Sequence, residues 1–130
     1  MSRLILLSFL FSTFFSCKKS NPNYQVEVNN PEFYHSAIKS VTDIMVYDIF
    51  SPPVAGRIYS RCAIAGYEAM VAGDPAYRSL AGQVKDLPPM PKPEAGQEYS
   101  FPIASVKAVI NTGRTLIFSE DKMNAYEKTI

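Results

Sequence analysis

The stretch from Ile44 to Gly73, IMVYDIFSPPVAGRIYSRCAIAGYEAMVAG, decides the fold. It reads as the end of one helix, a proline-stiffened corner, and a second helix with a small-residue face. Pro52 disfavours the α conformation at Ser51, and Pro53 restricts Pro52 in turn. The first helix is therefore expected to end near Ser51, at a rigid corner. The second should run from about Pro53 to Ala72. Ile58, Cys62, Ala65, Ala69 and Ala72 form one stripe along it, and Ala63, Gly66 and Met70 form its neighbour. So many small residues let another helix approach closely. Gly73 suits the C′ position, and Asp74-Pro75 stops the helix.

Upstream of the corner, Phe33, Ala37, Ile38, Val41, Ile44, Met45 and Ile49 recur at helical spacing. Asn30-Pro31-Glu32 supplies an N-cap, a first-position proline and a first-turn acid. Downstream, Tyr77 to Leu87 has room for one short helical turn. Pro88, Pro89, Pro91, Pro93 and Pro102 make an extended connector, read as lying along the helical body rather than as a ligand for a proline-binding module. Ile103, Val106, Ile110, Gly113 and Ile117, flanked by Val109 and Leu116, mark a third helix from Pro102 to about Phe118 or Ser119. Ser119 then serves as N-cap for a fourth, carrying Met123, Tyr126, Glu127 and Ile130. That helix stops at Ile130 without a cap, which points to a fragment of a longer protein. The fold class expected is all-α: a partial helical bundle of three to four helices with a proline-rich connector, after a signal segment and a tether.

The 130 residues carry a net charge of +1, with no basic block beyond Lys18-Lys19, so nucleic acid is not an expected partner. Two cysteines and one histidine cannot make a zinc site of the usual spacing. Gly-rich phosphate loops, a GxSxG elbow and paired catalytic carboxylates are absent. No catalytic, cofactor-binding or metal residue is assigned. His35, in the first helical turn, reads as a surface histidine, and Cys62 as a small buried hydrophobe. Arg57, Arg61 and Glu68 share one face of the second helix, with Asp48 across the corner. Two arginines on one face can bind an oxyanion. Structural ion pairing to Glu68, Asp48 or Asp43 is the preferred reading, because polar groups at helix contacts are usually paired.

The amino terminus, MSRLILLSFLFSTFFSC, has Arg3 followed by an apolar run from Leu4 to Ser16. The run is short of the roughly 20 residues that cross a bilayer, and it matches the core of a secretory signal. Ser16 before Cys17 resembles a bacterial lipoprotein signal, in which the cysteine is diacylated and becomes the new terminus. Phe14 stands where such signals usually carry Leu. A plain signal peptide with Cys17 incidental is the other reading. The organisation expected is a signal segment over 1–16, a lipidated Cys17 with a flexible tether over 17–31, and a helical part over 32–130. The protein should be exported to the cell envelope and held to a membrane through Cys17.

Tyr47-Asp48-Ile49-Phe50-Ser51-Pro52-Pro53-Val54-Ala55-Gly56-Arg57-Ile58-Tyr59, then Ala65-Gly66-Tyr67-Glu68-Ala69 and Tyr77-Arg78-Ser79-Leu80-Ala81-Gly82-Gln83, resembles the amino-terminal region of exported vanadium-dependent haloperoxidase-like proteins of the type 2 phosphatidic acid phosphatase superfamily. The resemblance covers roughly residues 36–130. It implies an all-helical fold whose full-length members hold vanadate or a phosphate ester with a Lys, two Arg, two His and a Ser-Gly-His segment on later helices. This sequence has no Ser-Gly-His, so none of those residues carries over. The chain alone is expected to be inactive: a scaffold that packs on a missing carboxy-terminal catalytic bundle. A stand-alone helical envelope lipoprotein that binds a partner is the alternative. A fragment should leave unpaired apolar helix faces, particularly on residues 103–118, whereas a complete domain should bury them.

Overall fold

The computed structural model describes residues 23, 26 and 28–130. The signal segment, Cys17 and most of the tether lie outside the described residues. Four helices follow: α1 (Glu32–Tyr47), α2 (Pro52–Val71), α3 (Phe101–Arg114) and α4 (Glu120–Glu127). The only extended pairing among the described residues is an isolated bridge between Ala81 and Val84, so the chain is all-α. Val26 and Val28, inside the expected tether, have helical backbone.

The hub is α3. It packs most extensively on α2 and also on α1 and α4, while α1 touches α2 only lightly. The core joins Ala37, Val41, Ile44 and Met45 of α1, Ile58 and Cys62 of α2, Val106, Val109 and Ile110 of α3, Ile117, and Met123 of α4. The apolar stripe expected on residues 103–118 is thus buried, apart from Ile103. The unpaired face that a fragment should leave there is absent, because three helices cover α3.

The inward face of α2 is rotated from the expected stripe. Ile58, Cys62 and Gly66 are buried, Ala65 and Ala69 half-buried, and Ala63, Met70 and Ala72 exposed. Gly66 sets this rotation. A Cβ there would lie 2.7 Å from Tyr34 Cε2 and 3.0 Å from Val109 Cγ2, and the Ser105 hydroxyl donates to the Gly66 carbonyl at 2.8 Å. Gly113 is its counterpart on α3, where a Cβ would meet Val41 Cγ2 at 2.9 Å. Close helix approach therefore rests on two glycines rather than on the alanine stripe.

The helix ends depart most from expectation. At the start of α1, Asn30 Oδ1 accepts the Glu32 N–H at 3.0 Å, as an N-cap should. Its other end comes at Tyr47, before Ser51. Ile49 adopts a left-handed φ of 56°. The Ile49 N–H donates to Val46 O at 3.2 Å and the Phe50 N–H to Met45 O at 3.0 Å. These are the two bonds of a Schellman motif. Ser51 is then extended, with φ −66° and ψ 150°, and Pro52 opens α2, as the double proline requires.

At the far end of α2, Ala72 is the cap. Gly73 is not left-handed: among the described residues the positive-φ glycines are Gly82 and Gly96. Gly73 is needed for room instead, because a Cβ would fall 2.3 Å from the Phe101 ring. Residues 77–87 form no helical turn. Likewise α3 stops at Arg114, and the chain turns through 115–119 into α4.

Candidate functional site

Four polar residues were singled out from sequence as ion-pairing partners, and the structure does not bring them together. Asp48 caps a different helix. Its Oδ2 accepts the backbone N–H groups of Phe118 at 2.9 Å and Ser119 at 3.1 Å, and its Oδ1 accepts the Ser119 hydroxyl at 2.5 Å. A carboxylate at the end of α1 faces the unfavourable pole of that helix's dipole, but the same group stands before the favourable amino-terminal pole of α4. Burial pushes the Asp48 carboxyl up. Hydrogen bonds from Ser119 and Phe118, with the nearby Lys122 charge, outweigh it and hold the group below its ordinary 3.8. Ser119 is the residue before α4, but its hydroxyl serves Asp48 and not α4.

Glu68 is 4% exposed, on the inner part of α2. Its Oε2 accepts the Ser79 hydroxyl at 2.7 Å and its Oε1 the Leu80 N–H at 2.6 Å. Ser79 Oγ also accepts the Ala81 N–H at 3.0 Å, and the Tyr67 hydroxyl donates to Arg78 O at 2.8 Å. Glu68 is therefore an anchor that pins the 78–81 loop onto α2. A buried carboxylate needs donors, and here neutral groups supply them.

Arg57 and Arg61 are exposed on α2. The ion pairs among the described residues are His35–Glu32, Lys39–Asp43, Lys107–Glu127 and Arg114–Glu127. Neither Arg57 nor Arg61 takes part. The expected pairing is corrected: Asp48 and Glu68 are used by backbone and hydroxyl donors elsewhere, and Asp43 pairs with Lys39. His35 is on the surface, its Nδ1 3.3 Å from Glu32 Oε1. Cys62 is a buried free thiol, and burial pushes it up to about 11. It is unreactive at neutral pH, since the thiolate is the nucleophile.

Sequence reasoning missed the Glu127 node. Glu127 accepts from Lys107 and Arg114, both on α3. The Lys107 hydrogen bond is the main reason its carboxyl lies below the ordinary range, with the Arg114 charge adding to it. The pairing ties α4 to the hub. The spacing of Lys107 and Arg114, seven positions apart on one helix face, was the available signal.

These nodes hold helices and a loop in place, and none presents a nucleophile beside a base. Among the described residues no three His, Cys, Asp or Glu are grouped to hold a metal ion, and no helix is long and apolar enough to cross a membrane. A cavity of about 280 Å³ is lined by Phe33, Pro102, Ile103, Val106 and Ile130, with Lys107 and Glu127. Its two charged groups bind each other, so it offers no free acid, base or oxyanion donor.

No protein-family model matches the sequence, and no curated protein matches it. A solved structure does: the crystal structure of the first bacterial vanadium-dependent iodoperoxidase, at 40% identity and a TM-score of 0.73. The match covers 76% of this chain and 24% of that one, so the present chain spans about a quarter of that protein's length. At this identity the agreement concerns sequence as well as backbone. The residues present do not fit an oxyanion cofactor: Arg57 and Arg61 face solvent, and the lone histidine lies in the first turn of a different helix.

Proposed function

We propose, proceeding from the relationship of this chain to the vanadium-dependent haloperoxidases, that it forms the amino-terminal helical scaffold of an exported haloperoxidase-like or acid phosphatase-like lipoprotein. The observation that carries the reading is the match to the iodoperoxidase over 76% of this chain but 24% of that one. The helices supply a rigid platform, and the oxyanion-binding chemistry belongs to residues this chain does not contain. Vanadate belongs, on this reading, to the full-length protein. The lipoprotein part rests on Arg3, the apolar run to Ser16 and Cys17. Fatty chains on Cys17 would hold the scaffold to a membrane, at about 0.8 kcal/mol per buried CH₂.

Two measurements test it. Purified 130-residue chain should show no halide oxidation and no phosphatase turnover, and activity that survives purification would refute the scaffold role. Intact mass of the membrane-extracted protein should show a diacylated Cys17 at the new terminus. A Cys17→Ser variant recovered in the membrane fraction like the wild type would rule out the anchor.

A second reading, a stand-alone helical envelope lipoprotein that binds a partner, is favoured by one observation. Val106, Val109, Ile110, Gly113 and Ile117 are all buried, so the four helices close a core on their own. A cooperatively unfolding monomer whose reading frame closes after Ile130 would favour that reading.

A further inference from the structure

We infer that the apolar patch made by Val46, Ile49, Phe50 and Phe118 is the seat on which a later segment of the same polypeptide packs through an apolar face. The inference rests on the scaffold reading above and adds the surface through which the scaffold is used. Ile49 is 89% exposed, Phe118 78% and Val46 73%. Phe118 stacks on Phe50 with ring centroids 4.8 Å apart, so two distant segments meet in one surface. A contiguous exposed apolar patch marks an interaction site far better than scattered apolar residues do.

The backbone supplies a second, independent observation. Ile49 occupies the left-handed C′ position of a Schellman motif. Glycine fills that position without steric cost, and a β-branched residue there is an outlier. Within this chain the strain is not offset by burial, since the side chain projects into solvent. Strain of this kind persists where the side chain has a use.

The chemistry of the occupant follows from the patch. Asp48 has spent its carboxylate on Phe118 and Ser119, and Lys122 Nζ sits 3.9 Å over the Tyr47 ring. The patch residues themselves are all apolar, so the complement to them is apolar. The occupant's source follows from length. The matched iodoperoxidase has most of its chain outside the matched 24%, and a segment in cis arrives without the entropic cost of a separate partner.

The test is site-resolved thiol labelling with a maleimide, read by mass spectrometry. The I49C, F118C and K39C variants are made in the 130-residue chain and in the polypeptide obtained by following the reading frame past Ile130. Lys39 has an exposed side chain on α1, about two helical turns before Val46, and Cys62, buried, is the silent internal reference. Positions 49 and 118 should label freely in the short chain. In the longer one they should slow by about tenfold or more, because reaction then waits for local opening, while position 39 stays unchanged. Circular dichroism checks that each variant keeps its helices. Equal labelling at 49 and 118 in a longer, folded polypeptide overturns the seat and leaves the scaffold reading standing. Protection that grows with concentration of the short chain assigns the patch to a second copy and overturns the inference. A reading frame that closes after Ile130 removes the scaffold reading, and the seat with it.

Discussion

The carboxy-terminal ends of α1 and α2 invert each other. At the end of α2 stands a glycine, Gly73, that does not use its conformational freedom and is confined by the Phe101 ring. At the end of α1 stands a β-branched residue, Ile49, in the conformation that glycine favours. One end is constrained by what packs on it from 28 residues away, and the other by hydrogen bonds within its own turn. A glycine at a helix end can therefore answer either of two needs, left-handed backbone or room, and only the contacts and the φ angle distinguish them. The comparison also separates the two positions: Gly73 lies against the Phe101 ring of α3, whereas the Ile49 side chain is 89% exposed.

The largest effect should come from Gly73→Ala. The new Cβ would sit 2.3 Å from Phe101 Cδ2 and 2.5 Å from Cγ, so the ring at the start of α3 has to move. Overpacking of this kind costs about 2–3 kcal/mol, read as a lowered urea midpoint. A neutral result would mean that the Phe101 ring moves aside freely and that Gly73 is not needed for room. The α1 end is held by Asp48, so Asp48→Ala is the matching change. It removes three hydrogen bonds to a carboxylate. Water reaches the exposed Phe118 N–H, so the loss should be about 2 kcal/mol rather than the full sum. Amide exchange at Phe118 and Ser119 should quicken before any other part of the core.

What was legible in the sequence was local. The double proline at 52–53 set the start of α2 to within one residue, and Asn30 caps α1 as its neighbours suggested. The α3 stripe was readable because Val106, Val109, Ile110 and Gly113 face the core on one helix. The polar residues were not legible, because their partners are distant. Asp48 and Ser119 lie 71 positions apart, and nothing in the spacing of Arg57, Arg61 and Glu68 shows that Ser79 and Leu80 take the carboxylate. The end of α1 was misplaced for a related reason. A proline rule limits how far a helix can run, but a Schellman turn can stop it sooner, and Ile is not a residue that announces one.

Ile49→Gly should act in the opposite direction to Gly73→Ala. Almost no burial is lost, since the Ile49 side chain is 89% exposed. Relief of left-handed strain of about 1–2 kcal/mol exceeds the roughly 0.5–1 kcal/mol that glycine costs in chain entropy. The 130-residue chain should gain up to about 1 kcal/mol, measured by urea unfolding. If the variant is instead destabilised, the Ile49 side chain has a packing role within this chain, and the contrast between the two helix ends weakens.

The smallest effect expected is that of Lys122→Gln, and its value lies in its pH dependence. Lys122 over Tyr47 is an exposed cation–π contact, worth about 0.5 kcal/mol. Lys122 also helps to hold the Asp48 carboxyl below 3.8. A carboxyl lowered in the folded state adds stability that is complete above its unfolded value. That stability is lost as pH falls below 3.8 through the lower folded value. Without Lys122, the folded value rises toward 3.8 and the acid-sensitive share shrinks. The difference in unfolding free energy between neutral and acidic pH should therefore be smaller in Lys122→Gln than in wild type. It should shrink further in Asp48→Ala, where this carboxylate is gone. Carboxyl chemical shifts followed through an acid titration would report the Asp48 change directly. An unaltered Asp48 titration in Lys122→Gln would assign its lowering to the Ser119 and Phe118 hydrogen bonds alone, and the α1 end, like the α2 end, would then be held by contact with a distant segment and without help from a charge.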